Sequence, residues 1–528
     1  MESLTLHFVT GGKPLYHQLY TYLVGEIQCG RLSAGEKLPS KRRLAEALHI
    51  SLNTVDTAYQ MLVAEGYLAA RPRSGFTVCR LERLAQPVRR TGCSADTAAH
   101  GGAVSFQPAA QGGQVQAAEA IAPRTQQGGL SRTTDERGVS LSCAAAEPLP
   151  CRYHFETTAI DTTLFPFKAW RRLQRDLLAG NPALLNHGHR QGDENLREAI
   201  ATYLHEYRGA QCSAEQIIVG AGIEYLLGLL ARMFANRVFA VENPGYARTH
   251  RILENSGARC AFVSVDDSGM TVDALSASGA QLAYVTPSHQ FPTGVTMPAG
   301  RRTELLHWAE SGAERYLIED DYDSEFRFDG KPLPALQGLD DGAHVIYIST
   351  FSKSIAPAIR IGYMVLPPAL LARYRAEFGF YSCTVCRFEQ QTLCRFMEEG
   401  YFARHLARLR SAYRQRRDAL TAALRAAFGD ALIIRGSHTG LHLLISFEGC
   451  ACEQQLIQAA IARGVRVTGL SAYYAGSTVQ PACSCATLVL GYAGLAAGDI
   501  GAAVRTLQES CTDVCNLCNS CSFSANKV

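Results

Sequence analysis

No hydrophobic run in this 528-residue chain approaches the ~20 residues that a membrane-spanning helix requires. The opening stretch, MESLTLHFVTGGKPLYHQL, lacks the basic flank and apolar core of a secretory signal. Both absences lead us to expect a cytoplasmic protein. A strong charge of either sign is missing too. The 51 Lys and Arg against 48 Asp and Glu leave a net charge of +3, which decides little about partners for the whole chain. No internal repeat is visible. The 18 cysteines are many, but they are scattered through core-forming sequence and do not suggest a small disulfide scaffold. Cys511, Cys515, Cys518 and Cys521 lie close together, a spacing open to a metal or an iron–sulfur cluster. No histidine or second tight pair completes a familiar zinc pattern there, and Cys483 and Cys485 are too close together to supply one. A tail without function is the other reading, and no metal is assigned.

What is present fits a globular chain of more than one domain, 47% hydrophobic and 19% charged. Residues 13–80 carry nine Lys or Arg against five Asp or Glu, a modest basic excess suited to a phosphate backbone. Residues 81–150 are rich in Ala, Gln, Gly, Ser and Thr, with Phe106 as their single aromatic residue. Such a stretch cannot bury enough apolar surface to offset chain entropy and reads as a flexible linker. The chain thus divides into a module at 12–80, the linker at 81–150, a large domain at 151–510 and a Cys-rich tail at 511–528.

The module reads as three helices and a short hairpin. Leu15, Leu19, Tyr22, Leu23 and Ile27 recur at helical spacing. Ser40 and Ser51 stand where N-caps of a second and third helix belong, and the third stops at Gly66. YLAARPRSGFTV alternates as two strands around Arg73-Ser74-Gly75. A helix pair with a wing is a geometry for double-stranded DNA, the second helix of the pair entering the major groove. Ser51, Asn53 and Thr54 open that helix, Lys41, Arg42 and Arg43 open the preceding one, and Arg71 and Arg73 arm the wing. Each of these charges is also at home on an ordinary solvated surface. The segment LPSKRRLAEALHISLNTVDTAYQMLVAEGYLAARPRSGFTV resembles the winged helix-turn-helix of GntR-type bacterial regulators over almost the whole module. That resemblance implies DNA binding by these residues. Many members carry Arg after the recognition-helix serine where this chain has Leu52, which bears on the base contact and leaves the fold untouched.

In 151–510, short apolar strands (IIVGAG, RVFAVE, LAYVTP, RYLIED, HVIYIST) alternate with helical patterns, which predicts an α/β layer on a largely parallel sheet. A long helical stretch from about Glu389 to Ala427 and strands such as LHLLISF predict a smaller second α/β subdomain. Pyridoxal phosphate needs a lysine amine, an acid beside its pyridine nitrogen and donors for its phosphate. Lys353 follows a strand and is flanked by Thr350, Ser352 and Arg360. Asp320 and Tyr322, two apart at a strand end, address one face; the run Glu319-Asp320-Asp321 by itself also fits a magnesium site. The turn in IIVGAGIEYLL offers the N–H groups of Gly222, Ile223 and Glu224 to an anion. Tyr246 in ENPGY has a ring to stack, and HQFPTG, with His289, forms another loop beyond a strand.

These ordered segments resemble fold-type I aminotransferases. The resemblance implies that Lys353 is the Schiff-base lysine, Asp320 the pyridinium partner, Tyr322 the ring-oxygen donor, Tyr246 the stacking aromatic, and Thr350 and Arg360 phosphate ligands. Three departures stand out. Phe291 replaces the asparagine that contacts the ring oxygen, with His289 or Gln290 as substitutes. Val489 stands where a carboxylate-clamping arginine is usual. His187 takes the place of a tyrosine donated across the dimer. Both domains together resemble the MocR-type branch of GntR regulators. That implies a homodimer that senses pyridoxal phosphate or a small amino compound and has no assigned catalytic residue. Arg248 and Arg466 are the candidates for an effector carboxylate. An active aminotransferase with a DNA-binding appendage is the alternative.

Overall fold

The computed structural model describes residues 15–78 and 151–517, apart from residues 29–30, 34, 49, 65–66, 72–74, 313, 329–333, 430–431, 448–452 and 477–484. The expected linker at 81–150 and residues 518–528 of the expected tail lie outside the described residues, as does Arg73.

The N-terminal module consists of α1 (Leu15–Gln28), α2 (Lys41–Ala47), α3 (Leu52–Ala64), β1 (Leu68–Arg71) and β2 (Gly75–Val78). Leu19, Leu23 and Ile27 of α1 are buried as their spacing predicts, together with Tyr20 and Val24, and they share a core with Leu44, Val55, Tyr59 and Leu62. Leu15 is exposed instead, as the first residue of α1. Ser40 caps α2, accepting from Arg43 N–H at 3.3 Å. Ser51 caps α3, accepting from Thr54 N–H at 3.1 Å. β1 and β2 pair antiparallel, Leu68 opposite Val78 and Arg71 opposite Gly75, which forms the wing.

The large domain begins at β3 (Tyr153–His154) and is built on an eight-stranded sheet. Its strands are β4 (Ile217–Gly220), β5 (Val238–Asn243), β6 (Arg259–Asp266), β7 (Gly269–Met270), β8 (Leu282–Val285), β9 (Tyr316–Asp321), β10 (Val345–Thr350) and β11 (Gly362–Val365). Their order is β4-β11-β10-β9-β8-β5-β6-β7. The pairs β6/β5, β5/β8, β8/β9 and β9/β10 are parallel, whereas β11 runs antiparallel to both neighbours. Helices cover both faces. The strands are therefore buried on both sides and read as continuous apolar runs.

The smaller subdomain is a four-stranded antiparallel sheet in the order β12-β13-β16-β15. It comprises β12 (Leu432–Arg435), β13 (His442–Phe447), β15 (Thr468–Gly469) and β16 (Ala486–Gly491), while β14 (Val465–Arg466) pairs with β3. Leu443, Leu488, Phe428 and Leu507 meet in its core. Two expectations change here. The helical stretch from about 389 is two helices, Arg387–Glu398 and Tyr401–Phe428, because Gly400 adopts φ +71 and ends the first. The segment read as a tail from 511 starts inside the helix Ile500–Leu517, with Cys511 and Val514 buried because they continue its apolar face.

Candidate functional site

A cavity of about 200 Å³ opens at the carboxyl ends of the parallel strands, where α/β sheets place ligands. Tyr246, Thr286, Phe291, Asp320, Tyr322, Thr350, Ser352, Lys353 and Arg360 line it, together with Ile223, Glu224, Arg248, Thr157 and Thr158. Residues spread over some two hundred positions of sequence thus converge on one space.

Strand alternation decides which acid enters. Asp320 lines the cavity, whereas its neighbours point away. Glu319 accepts from Leu336 N–H and Gln337 N–H at 2.8 and 2.9 Å. Asp321 pairs with buried Arg208 at 2.6 Å and accepts from Tyr347 at 2.5 Å. The three acids do not converge, so the magnesium reading of Glu319-Asp320-Asp321 fails. Burial raises the Asp320 pKa to about 7; the Tyr284 hydroxyl donating to it opposes the rise, and the charges of Asp321, Asp323 and Glu319 reinforce it. An acid so poised gains from a cation placed against it.

Lys353 sits in the turn after β10 and donates to Thr157 O at 2.6 Å. Burial lowers its pKa to about 8, with Asp323 pulling the other way. Tyr246 and Phe291 meet edge to face at 5.6 Å, and together they give the cavity an aromatic wall.

The glycine turn is tighter than its sequence suggests. Gly222 N–H donates to Gly220 O at 2.8 Å, so of the three expected anion donors it is already engaged. Gly222 has φ +86, and a Cβ there would lie 2.5 Å from Arg360 Nη2. Only glycine lets the guanidinium close over the start of the helix Ile223–Met233. Arg360, itself at φ +50, pairs with the Glu224 carboxylate. That carboxylate also accepts from its own N–H, in the place an external anion would take. The glycine-made cradle, the buried lysine amine and the protonation-poised acid fit pyridoxal phosphate in size and in donor chemistry.

His289 and Gln290 do not replace the missing asparagine. Both are buried behind the wall. Gln290 is tied to Glu242, Pro244 O and Phe291 O, and His289 to Asp323 and Tyr322. Phe291 itself faces the cavity. Val489 is fully buried in β16, between Leu444 and Thr468. His187 is exposed on its own chain. Arg248 reaches the cavity rim, 66% exposed and 4.0 Å from Glu224. Arg466 instead lies 3.6 Å from Glu156 and outside the lining. Sequence reasoning missed Tyr284, Thr157 and Asp323. Tyr284 stands in an ordinary apolar strand and Thr157 acts through its carbonyl, so neither carries a motif.

In the N-terminal module, Arg42 and Arg43 are exposed at the start of α2. Lys41 pairs with Asp56 and lies 5.1 Å over the Phe76 ring, so its charge is partly spent within the module. Ser51 is exposed and bonded to the Thr54 hydroxyl at 2.8 Å. Leu52, 46% exposed, opens α3. The side chains of Asn53 and Arg71 lie outside the described residues.

Residues 15–78 match the family "Bacterial regulatory proteins, gntR family", and residues 158–486 match "Aminotransferase class I and II". The chain is 35% identical over 499 residues to the uncharacterized HTH-type transcriptional regulator YdeL of Bacillus subtilis, covering 94% of this chain and 96% of that protein. It is 34% identical to the probable rhizopine catabolism regulatory protein MocR of Rhizobium meliloti, covering 91% and 90%. To the pyridoxine biosynthesis transcriptional regulator PdxR of Corynebacterium glutamicum it is 33% identical, covering 85% and 86%. The chain belongs to the MocR-type branch of the GntR family. This MocR-type regulator therefore joins a DNA-binding winged helix-turn-helix to a domain with the fold of pyridoxal-phosphate-dependent aminotransferases. The multiple substrate aminotransferase of Thermococcus profundus shares that fold, with a TM-score of 0.61 at 24% identity over 70% of this chain and 94% of that one.

Proposed function

We propose that this MocR-type regulator binds pyridoxal phosphate covalently through Lys353 and uses the occupied cavity to sense the cofactor or an amino compound, so altering its hold on DNA. One observation carries the reading: Lys353 and Asp320 line a single cavity with Tyr246, Tyr322, Thr350 and Arg360. In this reading Asp320 faces the pyridinium and Tyr246 stacks on the ring. Thr350, Arg360 and the N–H groups of Ile223 and Glu224 take the phosphate, the incoming anion displacing the Glu224 carboxylate from both Arg360 and the Glu224 N–H. Bound there, the cofactor supplies an electrophilic carbon for amines. Arg248, the exposed cation at the rim, receives an effector carboxylate. Arg42, Arg43, Ser51 and Thr54 contact DNA, with Lys41 contributing once released from Asp56. A homodimer is supported by large apolar side chains left bare on one chain, among them Phe167 at 67%, Leu178 at 64% and Leu185 at 77% exposure.

Sensing is preferred over turnover because Val489, at the carboxylate-clamp position, is an apolar side chain buried in β16 and offers no cation to a substrate carboxylate. The test is titration of promoter DNA from beside the regulator's own gene, with and without pyridoxal phosphate and candidate amines, alongside visible absorbance. The wild type should turn yellow and change its DNA affinity, and Lys353→Ala should do neither. Steady-state exchange between an amino acid and a keto acid would favour the aminotransferase alternative, and a wild type that takes up no cofactor would refute both.

A further inference from the structure

Behind the cavity lies a chain of polar side chains that the cofactor reading leaves unused. His289 and Asp323 are both buried, with His289 Nδ1 2.9 Å from Asp323 Oδ2. A carboxylate only accepts, so Nδ1 carries the proton and the tautomer is set. The same Nδ1 lies 3.0 Å from the Tyr322 hydroxyl. The hydroxyl oxygen shares that N–H, which leaves its own single proton to be donated. Here it is donated to His289 O at 2.9 Å. Rotation about the phenolic C–O bond alone turns it into the cavity that Tyr322 lines. Burial and the charge of Asp323 hold the Tyr322 pKa far above its ordinary value, so it remains a donor.

The other end of this chain is anchored in the smaller subdomain. Leu441 N–H donates to Asp323 Oδ2 at 3.3 Å. Gly440 presses so close that a Cβ would lie 1.9 Å from His289 Cε1, and Tyr492 fixes Gly440 by donating to its carbonyl at 2.5 Å. His442 flanks the His289 ring at 4.5 Å between centroids and donates from Nε2 to Pro292 O at 3.0 Å. His289, Asp323 and His442 bring ligand atoms within 4.8 Å of one another. Within that cluster His289 Nδ1 and Asp323 are paired with each other and His442 Nε2 with Pro292 O, while His289 Nε2 is buried without a hydrogen-bond partner.

We infer that His289 is a positioning residue: oriented by Asp323, it aims the Tyr322 hydroxyl at the ring oxygen of the bound cofactor and ties that contact to residues 440–442 of the smaller subdomain. The inference rests on the cofactor reading above. Phe291 occupies the position from which an asparagine would reach the ring oxygen, so Tyr322 is the donor left there and its aim matters more. A buried donor that itself accepts a hydrogen bond is the stronger for it.

The test is a pH titration of the visible band of the full-length protein loaded with pyridoxal phosphate. A donor at the ring oxygen draws off negative charge that would otherwise hold the proton on the link to Lys353. Tyr322→Phe should therefore raise the midpoint by about one pH unit. His289→Gln and Asp323→Asn should raise it in the same direction, and His289→Gln added to Tyr322→Phe should add nothing further. A role confined to packing would lower thermal stability and leave both midpoints at the wild-type value. That result, or fully additive shifts, would overturn the inference while leaving the cofactor reading intact. A wild type that develops no visible band would overturn both. Two variants are used so that poor folding of one leaves the other to decide.

Discussion

The lysine at the centre of the site is tuned by its surroundings. Burial takes the Lys353 pKa from 10.5 down to about 8, against the pull of Asp323. The neutral amine, which is the form that attacks an aldehyde, therefore becomes abundant above about pH 8 rather than above the ordinary lysine value. The rate of colour formation on mixing apoprotein with pyridoxal phosphate should rise with pH and level off above a midpoint near 8. Stopped-flow absorbance measures this, and a rate still climbing at pH 10 would mean an amine in an ordinary aqueous setting. At the same scale, the EDDY run shows what sequence reasoning can do. Alternation along a strand puts Asp320 and Tyr322 on one face, and both line the cavity. It could not show that Arg208, more than a hundred residues upstream, neutralises Asp321 on the other face.

Between elements, one close approach is made by the turn before β13, which meets the HQFPTG loop. Gly440 at φ +73 and Gly294 at φ +73 mark the contact, and a Cβ on Gly294 would lie 2.7 Å from Gly436 Cα. Gly440→Ala incurs the left-handed backbone cost of about 1–2 kcal/mol plus displacement of the His289 ring. The variant should unfold at lower temperature and bind pyridoxal phosphate more weakly, as read by thermal melts and absorbance titration. A variant matching wild type in both would mean that this contact is loose. In the DNA-binding module, α2 presents Arg42 and Arg43 to solvent while Lys41 is partly spent on Asp56. If each arginine meets one phosphate, Arg42→Ala and Arg43→Ala should each flatten the log–log salt dependence of DNA binding by about 0.9. Lys41→Ala should flatten it less. Equal slopes for all three variants and wild type would remove these residues from the backbone contact.

For the whole molecule, the cofactor is expected to act as a stabilising ligand of the folded chain. At a hundredfold excess over its dissociation constant it should add about 2.7 kcal/mol. Calorimetry should show a rise in melting temperature that saturates with pyridoxal phosphate and shrinks sharply in Lys353→Ala. An equal rise in both proteins would mean that binding does not pass through the amine.

Local signals sufficed for the parts of this protein that local physics governs. Helix spacing, Ser40 and Ser51 as caps and the turn before β2 marked the DNA-binding module, because caps and periodicity depend on neighbours within a few residues. The ordered motifs around Lys353 marked the α/β domain and most of the cavity lining for the same reason. Tertiary structure decided the rest. It set His289 behind Tyr322 rather than in the cavity, and it supplied Tyr284 to Asp320 and Thr157 O to Lys353. It also buried Val489. Each of these depends on which distant strand or loop arrives at a given point in space, and no pattern along the chain encodes that arrival.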